Sequence, residues 1–339
     1  MKKAFLLLAV VLASLGLAQP RELRLFIWSE YIDPEIPKQF TAATGIPVRI
    51  TLYESNEDML ARLQAGGGSQ FDLIVPSDYI VPTLVNLRLV QPLQLERIPN
   101  LSALEPRFRN PSFDPGNRYS VAYQFGFTGL AYRKDRIPTP PTSWGVLFNN
   151  PAFAFTLLDS TREMMSITLR YQRQNMNTRD PQVIRRAGEL LRQASRSRNF
   201  LAFDGGVPGL NKVLSGQASA AVVYNGDAVR VMRENPNIGF VLPREGATMA
   251  VDNLMIPAGA PNPEAAHRFI NYILSARVGA QLSNWTGFGS PNRAARPFLR
   301  PEDLRNPAIY PDLSRLEFIQ DVGPAQRIYD EVWTAVRAR

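Results

Sequence analysis

The sequence predicts an α/β chain in two lobes, and three observations carry that expectation. Strand-like and helix-like stretches alternate over residues 23–75, the pattern that builds an open sheet. A second series of such stretches follows the proline-rich segment Pro138-Thr139-Pro140-Pro141. The length of 339 residues corresponds to two domains at roughly 150 residues each.

Lys2 and Lys3 precede an apolar run over residues 4–18, and Gly16-Leu17-Ala18 sets small residues before Gln19-Pro20. A charged start, a short apolar centre and a small-residue exit predict a secretory signal peptide over residues 1–18. The run is shorter than the about 20 apolar residues that span a bilayer, so the mature protein is expected to be soluble and periplasmic. Leu23, Leu25 and Ile27 alternate as in a strand. Asp33-Pro34 opens a helix with Ile36, Phe40 and Ala43 on one face, and Gly45 ends it. Ile46, Val48, Ile50 and Leu52 alternate again as a second strand. Ser55 with Asp58 has the form of a capping box for a helix ending at Gly66-Gly67-Gly68. Phe71-Asp72-Leu73-Ile74-Val75 reads as a short strand buried in a parallel sheet.

In the second series, residues 153–158, 219–224 and 238–242 read as strands, and residues 252–257 as a return crossing. Asp180-Pro181 opens a helix with Val183, Ala187, Leu190 and Ala194 on one face. Residues 263–274 and 324–336 read as further helices, the first with His267 at its surface or partly packed.

Composition narrows the function. There is no Cys and a single His, which removes disulfides, thiolate nucleophiles and Cys-based zinc or iron–sulfur sites, and argues against a Ser-His-Asp triad or a multi-His metal site. Neither Gly-x-Ser-x-Gly nor His-Glu-x-x-His occurs, so no catalytic residue, metal or cofactor is expected, and an enzyme is disfavoured. The formal charge of +8 is compatible with a nucleic-acid partner. The arginines are scattered without interleaved aromatics, however, and export separates the chain from nucleic acid, so none is expected.

In open α/β sheets, ligands sit beyond the carboxyl ends of the strands. Those ends carry Trp28-Ser29-Glu30-Tyr31, Tyr53-Glu54-Ser55-Asn56 and Pro76-Ser77-Asp78-Tyr79. Aromatics, hydroxyls and acids thus converge on one edge. Asp252 enters the return crossing just before an apolar run, and a charge there needs a partner or water. Asp78 and Asp227 read equally well as solvated loop acids.

The segments Phe26-Ile27-Trp28-Ser29-Glu30-Tyr31, Thr44-Gly45-Ile46, Tyr53-Glu54-Ser55-Asn56-Glu57 and Phe71-Asp72-Leu73-Ile74-Val75-Pro76-Ser77 together resemble the bacterial periplasmic spermidine/putrescine-binding proteins. The resemblance continues through Phe113-Asp114-Pro115, Tyr119-Ser120-Val121, Ser143-Trp144, Tyr224-Asn225-Gly226, Arg244-Glu245-Gly246 and Asp321-Val322-Gly323. It implies a two-lobed type II periplasmic binding protein fold, each lobe an open, mostly parallel sheet flanked by helices and joined by a hinge. The lobes are expected over residues 19–127 with 252–300, and 128–251 with 301–339. It also implies a monomer that holds a polyamine in the cleft and delivers it to the permease subunits of an ABC importer.

By the same resemblance, Trp28, Ser29, Glu30, Tyr31, Ser77 and Tyr79 line the cleft from one lobe, and Glu163, Tyr224 and Asp227 from the other. Asp252 is the deep acid for a terminal ammonium. The chemistry suits these residue types: carboxylates meet ammonium groups, and aromatic faces line methylenes while attracting the cation by about 0.5–2 kcal/mol each. Ser160-Thr161-Arg162-Glu163 also has the form of a capping box, which gives Glu163 a second reading. Tyr224 stands where the family usually has Trp. Ser160, Ala250 and Ile319 depart from an acid, an aromatic and a Gln of the spermidine-binding pattern. The positive net charge opposes cation approach at long range, so the site is expected to be locally acidic. The alternatives are ferric iron, whose usual neighbouring tyrosines are missing at Tyr224-Asn225, and a binding protein that feeds a sensor. A deaminase with this type of lobe attaches its cofactor through a Cys that the chain lacks.

Overall fold

The computed structural model describes residues 22–149 and 151–338; the expected signal peptide lies outside them. β1 (Leu23–Trp28) pairs in parallel with β2 (Val48–Tyr53) on one side and with β3 (Leu73–Ile74) on the other. Two helices make the crossovers, α1 (Glu35–Thr44) and α2 (Asn56–Gln64). Ser55 Oγ accepts the Asp58 N–H at 3.0 Å and caps α2 from the predicted position, whereas α1 has Pro34 as its N-cap, without a side-chain cap, and the Asp33 carboxylate one residue earlier accepts the Glu35 N–H at 2.9 Å. The buried stripe of α1 is Ile36, Pro37 and Phe40, whereas Ala43 is exposed. On β2 the apolar alternation belongs to the outer face: Ile50 and Leu52 are 38% and 50% exposed, while Tyr53 is buried. β2 is the edge strand of the sheet, so only one of its faces has a core to meet.

After α3 (Val81–Asn86) and a run of short turns, β4 (Ser120–Arg133) makes the first crossing between lobes. Its first half, through Phe127, pairs antiparallel with β9 (Ala247–Met255); from Thr128 onward it pairs antiparallel with β7 (Ala220–Tyr224) and, from Leu130, with β8 (Ile238–Val241). The second lobe is completed by α4 (Gly145–Phe148), β5 (Phe155–Leu158), α5 (Thr161–Tyr171), α6 (Pro181–Ser195), β6 (Phe200–Asp204), α7 (Gly206–Ser215) and α8 (Asn225–Glu234). There β5 lies parallel to β6 and β7. β9 is the return crossing and starts at Ala247 rather than at Asp252. α9 (Pro263–Ile273), α10 (Ala276–Thr286) and α11 (Pro301–Leu304) follow; β10 (Leu316–Phe318) then pairs in parallel with the start of β9, and α12 (Gln326–Arg337) packs on α5 and α6. The strand order β2-β1-β3-β9-β4-β7-β5-β6 runs through both lobes, because the crossing strands β4 and β9 belong to each. This is the expected α/β, two-lobed architecture.

Several motif residues turn out to hold the scaffold. Asp114 accepts the Tyr119 and Ser120 N–H groups and the Ser120 hydroxyl at 2.7–3.0 Å. Ser143 donates to Glu245, and the Trp144 indole donates to Gly246 O at 2.8 Å. At the hinge, Phe288 lies across Gly126 and Gly226: a Cβ on Gly226 would sit 2.1 Å from its ring, and one on Gly126 2.7 Å. Only glycine leaves room for that ring at both places. His267 is not at the surface. It is 2% exposed, accepts the Gln94 N–H through Nε2 at 2.9 Å, and its Nδ1 lies 2.7 Å from Pro263 O, so the ring ties α9 to the segment at Gln94, far earlier in the chain. Leu304 and Tyr310 pack with Ala280, Ala295 and Leu299, while Asp303 is ion-paired with Arg233 of α8 at 2.7 Å.

Candidate functional site

The return crossing carries Asp252 to the ends of β1 and β3. Tyr31, just past β1, donates its hydroxyl to Asp252 Oδ2 at 2.5 Å, and Ser77, just past β3, donates to Oδ1 at 2.6 Å. Ser77 and Asp252 also face each other in an antiparallel β-bridge, which fixes the two backbones in register. Burial pushes the Asp252 carboxyl up to about 6, and the two hydroxyl donors hold it back. Behind Tyr31 stand Tyr123 and Phe288, with ring centres 5.6 and 4.9 Å away.

Trp28 ends β1 half-buried. Its indole N–H donates to Val75 O at 2.9 Å, and its ring rests on Tyr53 with centres 4.6 Å apart. The side chain is therefore fixed in place by neighbouring strands, as a rigid wall requires. Tyr79 is held by its hydroxyl, which accepts from Asn56 at 3.0 Å and donates to Glu57 at 3.1 Å.

The second lobe supplies Tyr224 at the end of β7, Asp227 in the first turn of α8, and Glu163 in the first turn of α5. Burial raises the Tyr224 phenol well above its ordinary range, and the charges of Glu163, Asp252 and Asp227 raise it further, with Tyr79 acting in the same direction. Tyr224 thus stands among groups from both lobes. Asp227 is pushed up to about 6 by burial, against the pull of Arg230.

Four expectations change. Glu163 does not form a capping box: Ser160 makes no side-chain cap, and the Glu163 carboxylate turns inward. It accepts the Thr128 hydroxyl at 2.6 Å and that of Thr248, one from each crossing strand, and burial raises its carboxyl. Glu30 is not free for an ammonium, because Arg230 of α8 is ion-paired with it across the lobes. Its backbone, at φ 53°, is left-handed. Ser29 points to the neighbouring strand end, donating to Glu54 at 3.1 Å. Asp78 is not a solvated loop acid but is buried. Of the residues anticipated for the site, Trp28, Tyr31, Ser77, Tyr79 and Asp252 come together from one lobe, and Glu163, Tyr224 and Asp227 face them from the other. Arg230, Thr128 and Thr248 were not anticipated. The three departures Ser160, Ala250 and Ile319 are all half-buried, with Ala250 paired to Gly126 on β4.

Chemically, this arrangement sets aromatic rings and carboxyl groups from the two lobes against one another. Such a setting suits an elongated organic cation. Among the described residues no helix is long and apolar enough to cross a membrane.

Comparison with known proteins agrees with the two-lobed fold. A family model described as bacterial extracellular solute-binding protein matches residues 35–309. A spermidine/putrescine-binding periplasmic protein of Salmonella typhimurium is 36% identical over 317 residues, covering 92% of this chain and 90% of that one. A putrescine/cadaverine-binding protein of Pseudomonas aeruginosa is 32% identical over 358 aligned positions, covering both chains in full. Among solved structures, the substrate-binding protein of a spermidine/putrescine ABC transporter from Streptococcus pneumoniae superposes with a TM-score of 0.82 at 28% identity, over 94% of this chain and 99% of the other.

Proposed function

The chain belongs to the bacterial extracellular solute-binding proteins, and on that premise we propose that it captures a polyamine of the putrescine–spermidine class between its lobes and delivers it to an ABC importer. The observation that carries the reading is Asp252, a carboxylate raised by burial to about 6 and held by two hydroxyls, with no cation paired to it among the described residues. Charge buried without a counter-charge is unfavourable, and an alkylammonium supplies that counter-charge. Hydrogen bonds between such ionised groups are roughly twice as strong as neutral ones. Trp28, Tyr31, Tyr79 and Tyr224 give the methylenes flat apolar walls. Glu163 and Asp227 from the second lobe meet the far amine.

Because the two sets of residues sit on different lobes, one ligand reaches both only when the cleft is closed, so binding selects that form. The departures at Ser160, Ala250 and Ile319 remove an acid, a wall and an amide that a triamine uses in the spermidine-binding pattern. A short diamine needs none of the three. Selectivity is therefore expected to favour putrescine-like diamines, and Ser160→Asp to favour the triamine. The partners that follow are the permease subunits of the importer, approached by a monomer in the periplasm after removal of residues 1–18. No catalytic step is assigned.

A thermal-shift panel of putrescine, spermidine, spermine, amino acids, sugars and ferric salts tests the reading. Only the di- and polyamines should stabilise the protein, by about 2.7 kcal/mol at a hundredfold excess over Kd. Stabilisation by a sugar or ferric salt alone would contradict it.

A further inference from the structure

Asp78 is 3% exposed, and its Oδ2 has no hydrogen-bond partner. The backbone N–H groups of Tyr79 and Val251 favour its charged form, against the larger effect of burial. The neighbours of these groups are already joined: Ser77 precedes Asp78 and donates to Asp252, which follows Val251. Two short backbone segments, Ser77-Asp78 and Val251-Asp252, thus run past each other, bridged at Ser77 and Asp252, and each carries a carboxyl group.

A buried carboxylate oxygen without a donor is costly, and two such groups side by side do not both ionise readily. The groups that face them do not relieve the charge. Burial raises Asp78 most, Asp252 adds to this, and Glu163 of α5 adds to it from the other lobe. Of the guanidiniums around the cleft, Arg162 is engaged by Gln320, Gln326 and Asn177, and Arg230 by Glu30. Tyr31 and Ser77 spend their hydroxyls on Asp252 alone. What remains to satisfy the pair is a proton or an incoming cation.

We propose that Asp78 is the second carboxyl of the deep amine anchor, and that in the empty cleft it shares with Asp252 one proton that the arriving ammonium expels. This rests on the polyamine reading above and goes beyond it in assigning the linkage and the residue. The balance is simple. The carboxyl O–H bond breaks, the proton passes to solvent, and an ammonium N–H takes its place between the two groups. The site gains one negative charge as it gains the cation, and no covalent bond to the ligand forms. The released proton does not come from the ligand, since aliphatic amines titrate near the lysine value of about 10.4.

Calorimetric titration with putrescine, in pairs of buffers of unequal ionisation heat, reads the proton directly. Wild-type protein should release more protons per putrescine near pH 5 than near pH 8, with affinity rising by up to about tenfold per pH unit over the range of release. Asp78→Asn keeps the shape and removes the shared charge. It should bind putrescine at least about tenfold more weakly near pH 8, the loss expected of one charge-assisted contact, and its release should move to lower pH. Asp227→Asn, whatever its affinity, should keep the release. Binding by wild-type protein without proton release would overturn the inference, a result that does not depend on any variant folding. So would a folded Asp78→Asn protein with the wild-type pH profile, or release abolished in Asp227→Asn and retained in Asp78→Asn. Failure of putrescine, spermidine and spermine to bind at all near pH 8 would instead overturn the polyamine reading beneath it.

Discussion

At the residue scale, function turns on a carboxylate that the empty fold holds at a cost. The folded protein favours protonated Asp252, whose carboxyl is raised from 3.8 to about 6. The stability this gives is present at low pH and is lost as pH rises through about 6. Near pH 7.5 the Asp252→Asn protein should therefore unfold no more easily than the wild type when empty. Its Kd for putrescine should nonetheless rise, by about 2–4 kcal/mol of lost affinity, as for truncating a buried charge pair. Scanning calorimetry and titration on one preparation check both halves. The Glu30–Arg230 pair makes a second, smaller prediction. An exposed pair is worth at most about 1 kcal/mol, and it is screened by salt. Arg230→Met should weaken putrescine binding several-fold at low salt and by less at high salt, as read from Kd in the two conditions. Trp28, Tyr31 and Ser77 were legible in the sequence because strand ends are where such folds place ligand groups, whereas Asp252 stood out as an acid entering the return crossing. The burial of Asp78 was not legible, since the return crossing that pairs beside it at Ser77 arrives from far along the chain. Glu163 carried two readings because a carboxylate three residues after a serine has the same spelling whether it caps its own helix or reaches across to the crossing strands.

At the element scale, the hinge depends on small residues under one ring. Gly226→Ala drives a methyl into Phe288 and should cost about 1–3 kcal/mol, as for overpacking a tight core; denaturant unfolding of this variant and of the double variant with Phe288→Leu measures the clash and its relief. The start of α6 offers a contrasting control. Asp180 accepts the Gln182 and Val183 N–H groups at 2.8 and 3.3 Å, so Asp180→Ala should cost about 1 kcal/mol of stability and leave putrescine affinity unchanged. Helix starts of this kind were readable because capping is written in adjacent residues. The buried face of α6 was read in part: Ala187 and Ala194 are buried as expected, but Ile184 and Leu191 complete the face while Val183 and Leu190 are only partly buried. β4 went unread beyond Ser120-Val121. Its residues are buried on both faces down to Tyr132, so no alternation marks it, and nothing within it punctuates the passage from one lobe to the next.

At the scale of the whole molecule, the formal charge of +8, which becomes +6 once residues 1–18 with Lys2 and Lys3 are removed, surrounds a site whose deepest groups are acidic. Approach of a cation is opposed at long range and favoured only near the site, so the association rate should rise with ionic strength, contrary to the usual steered encounter; stopped-flow tryptophan fluorescence across a salt series reads the sign. The two-lobed organisation was legible from its repeated strand–helix alternation, and the return crossing was read from Asp252 on, though it starts at Ala247; the first crossing was not, because it is made by pairing between distant segments. Saturating putrescine should also shrink the radius of gyration in solution, as the lobes close on it. The most direct measurement is a crystal structure of the protein grown with putrescine. One amine nitrogen is expected at about 2.7–2.9 Å from the Asp252 carboxylate, with the methylenes between Trp28 and Tyr224 and the second amine facing Glu163 or Asp227. Putrescine bound outside the cleft, or touching one lobe alone in a closed molecule, would contradict the account.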